Sequence, residues 1–175
     1  MAEYSSSSGS YTTTLYVTET SVGSASDNNS IVTFSLVLTK NKGYGLWHYD
    51  STCPWSININ GTSYSGKFSY DFRNYSSLTL KSNTTQSIPH NADGTKSISV
   101  SASVNMDNSD YVSTMSPSGT LTLTTILRNP RVEVHNGSGW VSGKPYVHNG
   151  SGWVEAKEVY VHNGSNWVAT TDRGS

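Results

Sequence analysis

Hydrophobic and polar residues alternate with a period of two along most of this chain. Leu15 and Val17 share one strand face, with Thr14, Tyr16 and Thr18 on the other. Val32, Phe34, Leu36 and Leu38 alternate with Thr33, Ser35, Val37 and Thr39, the pattern of a half-buried strand. Trp55, Ile57 and Ile59 alternate with Ser56 and Asn58. Asn60-Gly61 then predicts a tight turn, because both residues tolerate positive φ, and Tyr64, Phe68, Tyr70 and Phe72 mark the returning strand. Leu78 and Leu80 predict a short strand. Ile88 predicts another, which ends or runs along an edge because Pro89 cannot donate to a ladder. The clearest alternation sets Ile98, Val100, Ala102, Val104 and Met106 against Ser97, Ser99, Ser101, Ser103 and Asn105. Leu121 and Leu123 continue against threonines, and Ile126 falls out of phase, which predicts a bulge near Thr124-Thr125. Helical periodicity is absent. Short strands at this spacing predict an all-β protein, an antiparallel β-sandwich of the immunoglobulin-like or jelly-roll kind. Residues 1–10 read as a flexible leader and 11–128 as the sandwich. Asn129-Pro130 breaks the pattern, and 129–175 reads as a tail of three short β-hairpin repeats.

Those repeats say one phrase three times: Val134-His135-Asn136-Gly137-Ser138-Gly139-Trp140, Val147-His148-Asn149-Gly150-Ser151-Gly152-Trp153 and Val161-His162-Asn163-Gly164-Ser165-Asn166-Trp167. In each, Asn-Gly predicts the turn and the Trp is expected to cover the valines of the incoming arm. An isolated hairpin is marginal in water, and three without a cysteine pair make a poor core. The tail therefore needs a partner: the first domain, another protein or a second copy. A symmetric homo-oligomer is expected, a trimer ahead of other states, with Val134, Trp140, Val147, Trp153, Val161 and Trp167 as the contact residues.

Composition narrows the function. Only 13% of the residues are charged and 34% are hydrophobic, so the chain is neither a charged disordered segment nor a membrane protein. A net charge of −1 without a basic stretch removes the electrostatic footprint of a nucleic-acid binder. Cys53 is the one cysteine, which excludes a disulfide within the chain and a cysteine-based zinc site. No apolar run is long enough to span a membrane, and the first ten residues lack the charge and apolar stretch of a secretory signal.

Candidate chemistry is sparse. A trimer could gather His135, His148 and His162 around a metal, yet no acidic residue recurs beside them, and a turn-flanking role is the simpler reading. No metal and no cofactor are expected. His90 and Asp93 lie close in sequence, but no nucleophile elbow accompanies them and Asp93-Gly94 reads as a turn. Of five glutamates, Glu133, Glu155 and Glu158 fall in the repeats, which leaves little for a paired-carboxylate glycosidase. The chain is accordingly not expected to be an enzyme. The aromatic run Tyr44, Trp47, His48 and Tyr49 is the best binding candidate, since exposed rings beside Asn and Asp make platforms for sugars. Trp55 is expected in the core and Trp47 on the surface.

Two motifs carry a resemblance. Trp55-Ser56-Ile57-Asn58-Ile59-Asn60-Gly61, followed by Ile88-Pro89-His90-Asn91-Ala92-Asp93-Gly94-Thr95-Lys96-Ser97-Ile98, resembles a family of structural proteins from tailed phages of Gram-positive bacteria over roughly residues 11–127. The tail copies are similar to the Val-x-Asn-Gly-x-x-Trp repeats that end many phage tail and fibre proteins. The resemblance implies a non-enzymatic virion protein of the tail tip, fibre or baseplate. Its implied partners are other virion proteins and a host cell-envelope polysaccharide. Such a protein is made in the host cytoplasm and released by lysis. A capsid decoration or head-fibre protein is one alternative, and a glycan-binding module of a cell-wall hydrolase is another.

Overall fold

The computed structural model describes every residue except 44, 109, 127–131, 136, 157–158, 163 and 170–175, and only the backbone of 132–135, 140–143, 161 and 168–169. Two compact units result, Met1–Ile126 and Leu127–Ser175.

The first unit is a sandwich of two four-stranded antiparallel sheets. Its strands are β1 (Ala2–Ser8), β2 (Tyr11–Val22), β3 (Asn29–Lys40), β4 (Trp47–Ile59), β5 (Thr62–Asp71), β6 (Ser77–Pro89), β7 (Ser97–Val104) and β8 (Ser118–Thr122). One sheet runs β1-β2-β3-β6 and the other β5-β4-β7-β8. This differs from the immunoglobulin order, in which the third strand has already left the first sheet. The inner faces are the alternating apolar positions: Leu15, Val17, Phe34, Leu36 and Leu38 from one sheet meet Ile57, Ile59, Ile98, Val100 and Val104 from the other. Each fully buried side chain of this size contributes roughly 1.5–3 kcal/mol. On the outer faces, hydroxyls bond across strands, as between Ser7 and Thr12 (2.7 Å) or Ser97 and Thr122 (3.0 Å).

Three expectations change. The stretch expected as a flexible leader is β1, paired in register with β2 from Ala2↔Val17 to Ser8↔Tyr11. Its inward side carries one large ring, Tyr4, which lies where a Cβ on Gly119 would be 2.1 Å away. Leu78, Leu80 and Ile88 belong to one strand, β6, whose register against β3 slips at Phe34–Leu36 and at Leu36–Val37. Each slip inserts one extra residue in β6, so the two apolar ends keep the same face across a polar middle. Finally, β8 ends at Thr122 without continuing through a bulge. Leu123 N–H donates to Lys96 O (2.9 Å) and Ile126 N–H to Gly94 O (3.0 Å), so 123–126 follows the 90–96 loop. Gly94 must be glycine there: φ is 81° and a Cβ would stand 2.0 Å from Ile126 O.

The strand directions sort the loops between two ends. Segments 23–28, 60–61, 90–96 and 123–126 share one end; 9–10, 41–46, 72–76 and 105–117 share the other.

The second unit holds three hairpins: β9 (Val132–His135) with β10 (Trp140–Gly143), β11 (Tyr146–His148) with β12 (Trp153–Glu155), and β13 (Tyr160–His162) with β14 (Trp167–Ala169). In each hairpin the Trp pairs with the His (His135↔Trp140, His148↔Trp153, His162↔Trp167), and the next pair is Val-Val. Successive pairs point to opposite faces, so in the second hairpin Trp153 does not cover Val147 as expected. The turns also differ from Asn60-Gly61. There both residues take positive φ (49° and 87°) in a two-residue turn. In the second tail hairpin four residues form the loop, and of these only Gly150 (φ 96°) does.

Candidate functional site

β4 enters its sheet in two pieces. Trp47 and His48 pair with Asp71 and Tyr70, and pairing resumes only at Cys53↔Phe68. Residues 49–52 therefore loop out and are exposed. The bulge sets two rings on the surface at the loop end of the sandwich: Trp47 is 51% exposed and Tyr49 67%. His48 supports the bulge from behind, with Nε2 2.9 Å from Thr52 Oγ1 and its ring stacked on Tyr70.

Arg73, from the β5–β6 loop, lies across both rings. Its guanidinium carbon is 4.6 Å from the centre of the Trp47 ring and 5.7 Å from that of Tyr49, within cation–π range. Its Nε donates to Asp71 Oδ1 (2.9 Å) and its Nη2 to Asp71 Oδ2 (2.7 Å), a bidentate pair, and Nη2 also donates to the Tyr49 hydroxyl. The hydrogen bond from Arg73 holds the Asp71 carboxyl down at about 2, and Asp71 in turn raises the guanidinium.

Beside this platform opens a cleft of about 720 Å³, lined by Lys40, Leu46, Trp47, Arg73, Asn108 and Tyr111 among others. Its back is fixed by hydrogen bonds. Leu46 N–H donates to the Tyr11 hydroxyl (2.8 Å), Phe72 N–H to Leu46 O (2.9 Å) and Lys40 Nζ to Phe72 O (2.6 Å). Gly45 lets the 41–46 segment approach β5: a Cβ there would lie 2.0 Å from Phe72 O.

Of the four residues singled out for sugar contact, Trp47 and Tyr49 form the exposed platform, His48 braces it and Tyr44 lies outside the described residues. Trp55 packs partly buried against the core, its ring over Gly66. Arg73, Asp71, Asn108 and Tyr111 were not foreseen. They come from other loops, and no spacing in the sequence links them to Trp47.

His90 has a different role. Its Nδ1 is 2.7 Å from Gly94 O, so this nitrogen carries a proton, and Nε2 is 2.9 Å from Ser30 Oγ. The distance suits a serine–histidine pair, but Ser30 is fully buried and His90 is 7% exposed. The network is a fastener: Asn28 Nδ2 donates to His90 O (2.9 Å), and Glu19 Oε2 accepts from Thr124 N–H (2.9 Å). Burial pushes the Glu19 carboxyl up, but the Ser30 hydroxyl, Thr124 N–H and His90 together hold it below the usual carboxylate value. The His-Asn-x-Asp-Gly-Thr motif thus closes the end of the sandwich from which the chain exits. Within it, Asp93 Oδ1 accepts from the N–H and hydroxyl of Thr95 (2.9 and 2.7 Å).

In the tail, Trp153 (72% exposed) and Trp167 (70%) lie open with Val147, while the side chains of Val134, Trp140 and Val161 lie outside the described residues. His148 and His162 act at the turns: each Nδ1 accepts a glycine N–H, from Gly150 and Gly164, at 3.2 Å. Among the described residues no cluster of metal-ligating side chains occurs.

Among the described residues the chain is thus an all-β protein, an antiparallel β-sandwich with a loop-built aromatic cleft followed by three β-hairpins. The family described as siphovirus protein of unknown function (DUF859) matches residues 1–141, and the chain belongs to that family. The match covers the sandwich and most of the first hairpin and ends before the second. No curated protein and no solved structure matches the chain.

Proposed function

We propose that this siphovirus protein is a non-enzymatic component of the virion, in the tail tip, fibre or baseplate. It contacts a carbohydrate of the host surface through the Trp47–Arg73–Tyr49 platform. It is made in the host cytoplasm and leaves with the virion on lysis. The tail hairpins join it to further copies of itself or to other virion proteins.

One observation carries the reading: two exposed rings are held in place by an arginine that is itself fixed by a carboxylate. A sugar presents an apolar C–H face and a rim of hydroxyls. Trp47 offers a flat surface to the first, and Asp71, Arg73 and Asn108 offer acceptors and donors to the second. Because Arg73 is prelocked, little side-chain freedom is lost on binding. A cleft of about 720 Å³ lies within the ordinary size range of ligand sites.

The test is binding to polysaccharides purified from envelopes of host bacteria, by calorimetry, with Trp47→Ala alongside the parent. Binding should fall about tenfold or more in the variant, the order of loss found when an aromatic ring that stacks a nucleic-acid base is truncated, roughly 1–3 kcal/mol, while the melting temperature barely moves. No binding by the parent, or equal binding by the variant, refutes the site. Antibody labelling of virions on the head alone would refute the tail assignment.

A further inference from the structure

The second tail hairpin arranges three groups around one amide. Asn149 Oδ1 accepts from the backbone N–H of Ser151 and of Gly152, each at 3.0 Å. The intervening N–H, that of Gly150, points elsewhere and donates to His148 Nδ1 at 3.2 Å. An Nδ1 that accepts leaves the ring proton on Nε2. Two donors on Oδ1 polarise the Asn149 side-chain carbonyl and are placed to stabilise negative charge on that oxygen, as an oxyanion hole does. The Gly150 nitrogen is the backbone atom that closes a five-membered ring on Asn149 Cγ, and its proton already faces an imidazole lone pair. Gly150 sits in open space, with nothing near the position a Cβ would take.

We propose that Asn149-Gly150 is a self-modification site, with His148 as the general base. The imidazole takes the Gly150 amide proton, and the nitrogen electron pair forms a bond to Asn149 Cγ. Oδ1 carries the negative charge of the tetrahedral intermediate between the two N–H groups. On collapse the Cγ–Nδ2 bond breaks, the proton on the imidazolium passes to the leaving nitrogen, and ammonia departs. Water then opens the succinimide at either carbonyl, leaving aspartate or isoaspartate at position 149. No electrons are gained or lost, and the net change replaces NH2 by OH. An aspartate keeps the turn and adds a charge. An isoaspartate lengthens the main chain by one carbon and displaces the His148↔Trp153 pair, so the exposed face of the hairpin is altered with age.

The molecule contains its own control. Asn60-Gly61 is the same dipeptide in a tight turn, but its Gly61 N–H donates to Asn58 Oδ1 (3.0 Å), an amide oxygen with almost no basicity. The third hairpin repeats the histidine contact, Gly164 N–H to His162 Nδ1 at 3.2 Å.

The full chain is incubated at neutral pH, and its peptides are followed by mass spectrometry with fragmentation that separates isoaspartate from aspartate. Position 149 should convert about tenfold faster than position 60, a modest return for general-base catalysis. His148→Phe keeps a ring beside Trp153 but has no acceptor; it should slow conversion at 149 to the rate at 60 and leave position 163 fast. Conversion at 149 no faster than at 60 overturns the proposal. So does a His148→Phe variant with an unchanged rate at 149, or one that slows 163 equally.

Discussion

Arg73 gives the cleft its shape because one side chain meets three demands. It pairs with Asp71, bonds to the Tyr49 hydroxyl and lies against Trp47. Arg73→Ala is therefore expected to weaken polysaccharide binding as much as Trp47→Ala, by about tenfold or more, while leaving the melting curve nearly unchanged, because the pair is at the surface. Lys in its place supplies charge but neither the planar fork nor the stacking, so Arg73→Lys should not rescue binding. The acid response follows from Asp71. Its folded-state pKa is depressed, so its contribution is complete above the ordinary value of 3.8 and is lost as pH falls toward about 2. Binding measured by calorimetry should be flat from neutral pH to about 5 and decline only below the ordinary carboxylate range; loss of binding nearer neutrality would mean that another group controls the site. At the opposite end, Gly94→Ala must both hold positive φ and displace Ile126 O. A cost of about 1–3 kcal/mol from the backbone alone is expected, seen as a lower denaturation midpoint.

At the scale of elements, what could be read in advance depended on where large apolar side chains fall. β7 announces itself because every second residue is apolar and buried, Ile98, Val100, Ala102 and Val104, and β2, β3, β4 and β5 show the same alternation over part of their length. The Asn60-Gly61 turn was equally plain, since two residues must reverse the chain and both have the backbone freedom to do so. β1 stayed hidden because Ala2, Ser6 and Ser8 are small, and its one ring, Tyr4, is useful only against Gly119, far away in sequence. Its hold on the sandwich is nonetheless specific: Tyr4 Oη donates to Thr120 O at 2.8 Å, and β1 covers an edge of β2. Removing residues 1–8 should thus lower the denaturation midpoint clearly; an unchanged midpoint would restore the flexible leader. The aromatic run was legible as a cluster, but the residues that meet it were not. Arg73 reaches Trp47 only because β4 and β5 pair Trp47 with Asp71 and the chain then turns back over the rings. In the tail, the repeat predicted hairpins correctly but not their facing. Ser-Gly after Asn-Gly makes a four-residue loop, which sets Trp153 opposite His148 rather than over Val147.

Across the whole molecule, the two ends of the sandwich are built differently. The cleft is built from loops at one end, and Ile126, where the sandwich hands over to the tail, is bonded to Gly94 at the other. Under the proposed function the tail supplies attachment: Tyr146, Val147, Trp153, Tyr160 and Trp167 are all more than half exposed, and an isolated two-stranded hairpin is marginal in water. Repetition multiplies a weak contact, since linked hairpins bind at high effective concentration once the first has docked. Light scattering on the full chain and on one ending at Ile126 separates the roles. A trimer that becomes a monomer on truncation, with polysaccharide binding per chain retained, is the expected result. Trp153→Ala should weaken the trimer and Trp47→Ala should not. If both forms are monomers, copies do not meet through the tail, and its open faces belong to another virion protein. If both are oligomers, the interface lies in the sandwich, where the hydroxyl-lined sheet faces would have to meet.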